Sequence, residues 1–593
     1  MSLLDDASLL VTPNAYKEGK LYSIIPSNGN GDFSVTRATT ATRVNAAGLV
    51  ELVPYNLFTF SEMFTSGNWI KNTSTITANT TTAPNGTLTA DTFTGDGASG
   101  QHQTYQNVTL TNGLAHTTTI YAKKNTNNFI QIYGSGGPFG GANFWANFDL
   151  NNGVVGSVGT SATASIQSVG NGWYRCTMTA TTIADGATNI IFHLITSATS
   201  GRGETNTLST SVFLWGAQIN QGALLDYQMT ETRLNIPRLD YSLGSCPNIL
   251  LEPQRTNLAL RSEEFDNASW IVNATTISAN STTSPSGLNN ADTLTADGTS
   301  SNHRISQNIS ISATTYSYSI YAKKNTNNFI QINTGNSFGG MWANFDINNG
   351  VVGTLGTTTG TTPTSSITSV GNGWYRCNIT FTSTASGNSG TIVCSIVTSA
   401  SAARAEVNTL STSVFLWGAQ LEAGAYQTSY IPTSSASVTR NADVISRGNI
   451  FTNGLITSSG GTWFVDLRNN IQRTRESSAS GVPYLGDSNS AGVGNNFRIL
   501  GFTASRYLIQ KFVAGVATTI YTTTSNTSKI AIKWNGTTAD VFENGVKVVT
   551  ATSFTATALD FLAFRTDQVL FNINSTALFP TPLTDTQCIA LTT

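Results

Sequence analysis

The sequence predicts an all-β protein made of serial β-sandwich or jelly-roll domains, two of them a duplicated unit, followed by a further sandwich at the C-terminal end. Three observations predict this. A unit of about 200 residues occurs twice. Short runs rich in Thr, Ile, Val, Tyr and Phe alternate with Gly, Asn, Asp and Pro, which is the pattern of strands and turns rather than helices. Charged residues make up 10% of the chain while hydrophobic residues reach 39%, so there is apolar material for several cores.

The repeat is explicit. Tyr121–Ile132 and Tyr321–Ile332 both read YAKKNTNNFIQI, and Asn206–Gln218 and Asn408–Gln420 both read NTLSTSVFLWGAQ. Between these blocks lie WANFD at Trp145–Asp149 and Trp342–Asp346, and VGNGWYRC at Val169–Cys176 and Val370–Cys377. The unit opens with NLFTFSEMF at Asn56–Phe64 and NLALRSEEF at Asn257–Phe265, and Trp69 and Trp270 follow. The offset drifts from 197 at WANFD to 202 at WGAQ, so small insertions fall between matched blocks. Loops between fixed strands tolerate such changes. Turn signals every 8–12 residues or so point to a sandwich or jelly roll.

Composition excludes several functions. A length of 593 residues implies roughly three or four domains. Disordered chains combine few hydrophobics with high net charge, whereas here the formal charge is -2. No run approaches the ~18–20 apolar residues of a membrane helix, and Met1–Leu10, with Asp5 and Asp6, lacks the cationic start of a secretory signal. Phosphate binding needs clustered Lys and Arg, so no nucleic-acid partner is expected. The five cysteines, Cys176, Cys246, Cys377, Cys394 and Cys588, are too scattered for a disulfide framework and read as small buried apolar residues.

The motifs divide into core and surface readings. Asn-Gly in VGNGWYRC supplies the positive φ of a tight turn, and Trp173 and Trp374 then open a strand as core residues. Trp215 and Trp417 close an apolar run and read as core too. WANFD is more open, and Trp145 and Trp342 are candidates for contact with a glycan or partner. Asp149 and Asp346 precede Asn-Asn-Gly, a turn signal; a calcium role is an open alternative. No catalytic motif occurs, neither GxSxG nor HExxH nor a P-loop. The chain is therefore read as a non-enzyme with no cofactor and no metal site.

From about Val444 the pattern changes. Lys529–Gly536 (KIAIKWNG) is an alternating strand and turn, and Ala539–Val549 is a hairpin around Glu543-Asn544-Gly545. Trp463–Leu467 is a strand. Weak contact candidates here are Trp463, Trp534, Asp540, Glu543 and Asn544.

Taken together, NLxxxSExF…W…YAKK…FD…GNGWYR…WGAQ resembles the head-spike-fibre domain of bacteriophage structural proteins, with carbohydrate-binding-module-like jelly rolls as parallels. The KWNG…ENGVKV hairpin and PLTD tail resemble the concanavalin A-like (laminin-G-like) lectin fold. Phe33–Leu49 resembles an element that such proteins place ahead of a PRLDY…LLEPQRTNL element, found here at Pro237–Leu258. The first sandwich lies between the two, so it reads as inserted. The expected domains are residues 1–55, a virion-proximal module completed by 233–256; 56–232 and 257–443, the two sandwich repeats; and 444–593, the concanavalin A-like sandwich. The resemblance implies a head or tail fibre at the virion surface, a homotrimer, joined to other virion proteins through the N-terminal module and adhering to host-surface or mucosal glycans. The alternatives are a ligand-free capsid decoration or connector, and a polysaccharide depolymerase.

Overall fold

Strict alternation in the repeat blocks puts every second side chain on one face of a strand, and those faces close into cores. The computed structural model describes residues 3–141, 144–383, 389–468, 483–488, 494–503, 506–514, 516–525, 527–555, 558–565 and 570–593. The chain divides into two units, one of residues 54–234 and the other of residues 1–53 with 235–593.

In the unit of residues 54–234, two six-stranded antiparallel sheets pack face to face. One runs in the order Val154–Val158, Trp145–Asp149, Phe129–Gly134, Gly186–Leu194, Gln103–Leu110, Ile70–Asn72. The other runs Thr163–Gly170, Trp173–Thr181, Ala115–Lys124, Ser211–Gln221, Ala90–Gly95, Ser74–Thr81. Ile120, Ile130, Ile132, Phe148, Phe192 and Leu214 lie between them without exposure. The Asn-Gly turns form as the residue types dictate. Asn171 and Gly172 have φ of 51° and 77°, and Asn372 and Gly373 have 52° and 77°.

The larger unit holds the second copy, again with two six-stranded sheets in the same strand order. It also holds a terminal sandwich of an eight-stranded and a nine-stranded sheet. The fold class is thus all-β and serial, with a duplicated sandwich.

The N-terminal segments correct the expected borders. Residues 1–55 with 233–256 do not form a module apart from 444–593. Leu9–Val11 and Asn248–Leu251 both pair with Phe571–Phe579 in the eight-stranded sheet. Phe33–Thr36 pairs with Val444–Gly448 in the nine-stranded one. Leu9, Val11, Phe33, Val35, Ile249 and Leu251 share one core with Trp463, Ile530 and Phe564. The reason is size. Strands of three or four residues cannot enclose a core of their own, so their apolar side chains complete the terminal sandwich. The hairpin Ala41–Val44 with Val50–Val53 goes elsewhere: Val50 packs with Trp374, Trp417, Tyr321 and Tyr430 of the second sandwich.

These segments meet at a buried charge cluster. Arg37 Nη1 lies 2.8 Å from Asp443 Oδ1, Arg238 Nη1 2.8 Å from Glu252 Oε2, and Arg440 Nη1 2.7 Å from the same Glu252 oxygen. Arg238 also pairs with Asp443. Burial alone would raise the Glu252 carboxyl, but Arg440 and Arg238 outweigh it and hold it at about 2. Burial likewise opposes ionisation of Asp443, and Arg238 and Arg37 pull its pKa below the ordinary value.

Candidate functional site

Of the ten tryptophans, only Trp145 and Trp342, the residues of the two WANFD strands, escape full burial. Their position follows from alternation. Ala146 and Phe148 point into the core of the first sandwich, so Trp145, Asn147 and Asp149 point out of it.

Register adds residues that the sequence did not expose. Trp145 is opposite Tyr133, Tyr133 is opposite Ile191, and Ile191 is opposite Tyr105. All four lie on the face away from the core. Tyr105 and Trp145 are half-buried, and Tyr133 and Ile191 are covered. Three strand spacings of ~4.8 Å set Tyr105 and Trp145 roughly 14 Å apart.

The loop after Gly186–Leu194 is pinned over this row. Gln131 Nε2 donates to Asn147 Oδ1 at 2.7 Å and to Gly201 O at 3.0 Å, and Gln131 Oε1 accepts from Gly203 N at 2.7 Å. The Arg202 guanidinium lies 4.9 Å from the Tyr133 ring centroid and donates to Gly134 O at 2.6 Å. Tyr133 donates to Gln103 Oε1 at 2.7 Å, and burial pushes its hydroxyl up to about 12 against the opposing pull of Arg202. The loop covers Gln131 and Asn147 completely, so the row shows solvent the half-buried Arg202 and the half-open rings of Tyr105 and Trp145.

The second sandwich keeps the frame and changes the row. Trp342 is opposite Asn333, Asn333 opposite Val393, and Val393 opposite Ser306. Ser306 and Asn333 stand where the first copy has Tyr105 and Tyr133. Arg404 donates to Thr334 O at 2.7 Å, as Arg202 does to Gly134 O, but has no tyrosine ring beneath it. Burial lowers its pKa, and the neighbouring Arg304 lowers it further.

The remaining candidates are structural. Trp463 and Trp534, each 1% exposed, are corrected from surface contacts to core residues. Trp463 Nε1 donates to Thr576 Oγ1 at 3.1 Å inside the sandwich. Glu543 is buried and accepts from Tyr521 Oη at 2.8 Å and Ser528 Oγ at 2.9 Å, so its lone pairs are committed. Asp540 pairs with Lys547 at 3.0 Å and Lys533 at 3.4 Å and accepts from Ala551 N. Asn544 is the exposed turn residue, with φ of 47°, and accepts from Lys529 N. Asp540 and Glu543 are thus engaged within the protein, while Asn544 keeps an exposed position at the turn. Asp149 likewise caps its own turn, accepting from Asn151 N, Asn152 N and Asn152 Nδ2. Cys246, expected to be buried, is exposed.

Trp173, Trp215, Trp374 and Trp417 are buried as expected, but not between the sheets. They form clusters on the outer face of the second sheet of each copy, with Tyr121 and Tyr227 or Tyr321 and Tyr430. Gly216 and Gly418, at φ of 61° and 62°, make this possible, since a Cβ there would meet the Tyr121 or Tyr321 ring at 3.0 or 2.9 Å.

No family model matches the chain, and no curated protein matches it. Several solved structures are similar, these two among them. One is the Ruminococcus gnavus IT-sialidase CBM40 bound to alpha2,3 sialyllactose, 16% identical, covering 24% of this chain and 86% of that one, with a TM-score of 0.18. The other is the N-terminal CBM22-1-CBM22-2 tandem domain of Paenibacillus barcinonensis Xyn10C, 10% identical, covering 62% of this chain and 97% of that one, with a TM-score of 0.19. At such TM-scores these likenesses carry no argument; the sandwich fold rests on the strand pairing itself.

Proposed function

We propose that this chain is a structural and adhesive appendage of a bacteriophage particle, a head or tail fibre, which binds host-surface or mucosal glycans through the outer aromatic row of its first sandwich. The observation that carries the binding is the row itself. Eight tryptophans are spent on packing, while Trp145 stays half-open in register with Tyr133 and Tyr105. Half-open aromatic rings beside the half-buried Arg202 guanidinium suit a sugar, which offers a C–H face to the ring and hydroxyls to the guanidinium. The phage role rests on the resemblance of the repeat's motif set to head-spike-fibre domains.

In this reading the particle is held through the unit that contains the N-terminal strands, the protein acts as a homotrimer at the virion surface, and no catalysis is performed. Trimerisation would cover sheet edges such as Thr163–Gly170 and give weak sites useful avidity. A glycan array probed with the intact oligomer tests it. The expected result is binding that Trp145→Ala weakens at least tenfold. Absence of binding by the wild-type oligomer would leave a ligand-free connector as the better reading.

A further inference from the structure

A second site lies in the unit of residues 1–53 and 235–593. A cavity of about 510 Å3 sits on the outer face of the second sandwich, well within the ~300–1,000 Å3 of small-molecule sites. We propose that it binds a neutral saccharide, at a place distinct from the aromatic row of the first sandwich.

The floor is a face of hydroxyls. Thr364, Ser366 and Thr368 stand on the same side of an edge strand, roughly 6.8 Å apart. Directly opposite them are Thr380, Asn378 and Arg376. Among the described residues, nothing in the protein hydrogen-bonds the hydroxyls of Thr364, Ser366 or Thr368. Thr364 and Thr368 are exposed, so the cavity opens to solvent on that side.

The roof is apolar. Val44 and Val50 come from the N-terminal hairpin, Leu250 and Leu570 from the terminal sandwich, and Tyr426 from the segment leaving the second sandwich. A ligand with one apolar face and one hydroxyl-rich face matches these walls.

The engagement of the wall charges favours a neutral ligand. Arg43 is paired with Glu51 at 2.7 Å. Asp240 accepts from Val44 N at 2.7 Å and Ser242 N at 2.9 Å. Arg376 donates to Thr428 O at 2.6 Å, and Glu252 is held by two arginines. Arg43 and Glu252 are paired with opposite charges, while Asp240 and Arg376 spend hydrogen bonds on neutral protein groups, so every wall charge is already engaged and an ionic ligand would lose hydration for little return.

The test is calorimetry on the full chain carrying Tyr105→Ser and Tyr133→Asn, which silences the first site and keeps the two readings separable. The probes are cellotriose, maltotriose and tri-N-acetylchitotriose, with sialyllactose as the anionic control. The proposal expects at least one neutral probe to bind with a stoichiometry near one. Ser366→Phe, which fills the cavity from a half-buried position, should then weaken binding at least tenfold. Thr368→Val, which removes one hydroxyl at nearly constant shape, should weaken it several-fold with an unchanged melting temperature. No binding by any neutral probe, tighter binding of sialyllactose, or neutral binding indifferent to both substitutions would overturn it.

Discussion

The two sandwiches share strands, turns and most of the inter-sheet core, where Tyr316, Tyr318 and Phe381 of the second replace His116, Thr118 and Ala180 of the first, and they differ further where side chains leave the core. On the outer face of one sheet the first copy lines up Tyr105, Ile191, Tyr133 and Trp145, whereas the second has Ser306, Val393, Asn333 and Trp342. On the opposite sheet the second copy packs its aromatic cluster against Val50 of the N-terminal hairpin and borders the cavity. The difference teaches that the core fixes the scaffold while single exchanges on outward positions assign work to it. One copy presents an aromatic surface, and the other is built into the body formed with the terminal sandwich.

The largest way to break this comparison is at the buried charges. Arg238→Ala leaves Glu252 and Asp443 short of a partner, and removing one member of a buried pair costs about 3–5 kcal/mol. Denaturant unfolding should show that loss in the unit of residues 1–53 and 235–593, with the transition of residues 54–234 unmoved. An equal shift in both transitions would show that the copies are not energetically separate. Because Glu252 and Asp443 are held below their ordinary values, the stability they contribute is present at neutral pH and is lost in acid, that of Glu252 as the pH falls toward about 2.

A smaller effect has the opposite sign. Burial raises the Glu263 carboxyl to about 7, with Tyr430 and Asn290 pulling against it. Its folded form prefers the proton, so this contribution is complete below its ordinary value of 4.5 and is lost as pH rises to about 7. Glu263→Gln should flatten that part of the melting-temperature profile. Glu62 holds the same place in the first copy and is also raised by burial. A profile unchanged by Glu263→Gln would remove the titration from the account.

The smallest prediction concerns what the copies share. Asn171→Ala and Asn372→Ala each force a Cβ-bearing residue without a helpful side chain into positive φ, at a cost of ~1–2 kcal/mol. Chemical denaturation should give the two losses within about 0.5 kcal/mol of each other. A clear inequality would mean that the second copy's surroundings strain even the shared turn.

Much of this was legible in the residues. The residues separate the open Trp145 and Trp342 from the core tryptophans of GNGWYRC and WGAQ, and Asn-Gly marks the turns. The N-terminal strands were not legible, because Leu9–Val11 finds its partner more than 550 residues away and its three residues carry no register of their own. Tyr105 and Tyr133 were missed because their neighbourhood depends on pairing through a third strand. A signal was present all the same: the identical block Tyr121–Ile132 ends where Tyr133 faces Asn333 in the alignment of the copies. The charge cluster joins Arg37, Arg238, Glu252, Arg440 and Asp443, which are scattered along the chain and gathered only by the terminal sandwich.

The most direct test of the central claim exchanges the two rows. Glycan binding by the intact protein should fall at least tenfold when the first copy receives Tyr105→Ser and Tyr133→Asn, and should be regained when Ser306→Tyr and Asn333→Tyr are added to the second. Binding that is unchanged by the first pair of substitutions would contradict the assignment of adhesion to the aromatic row.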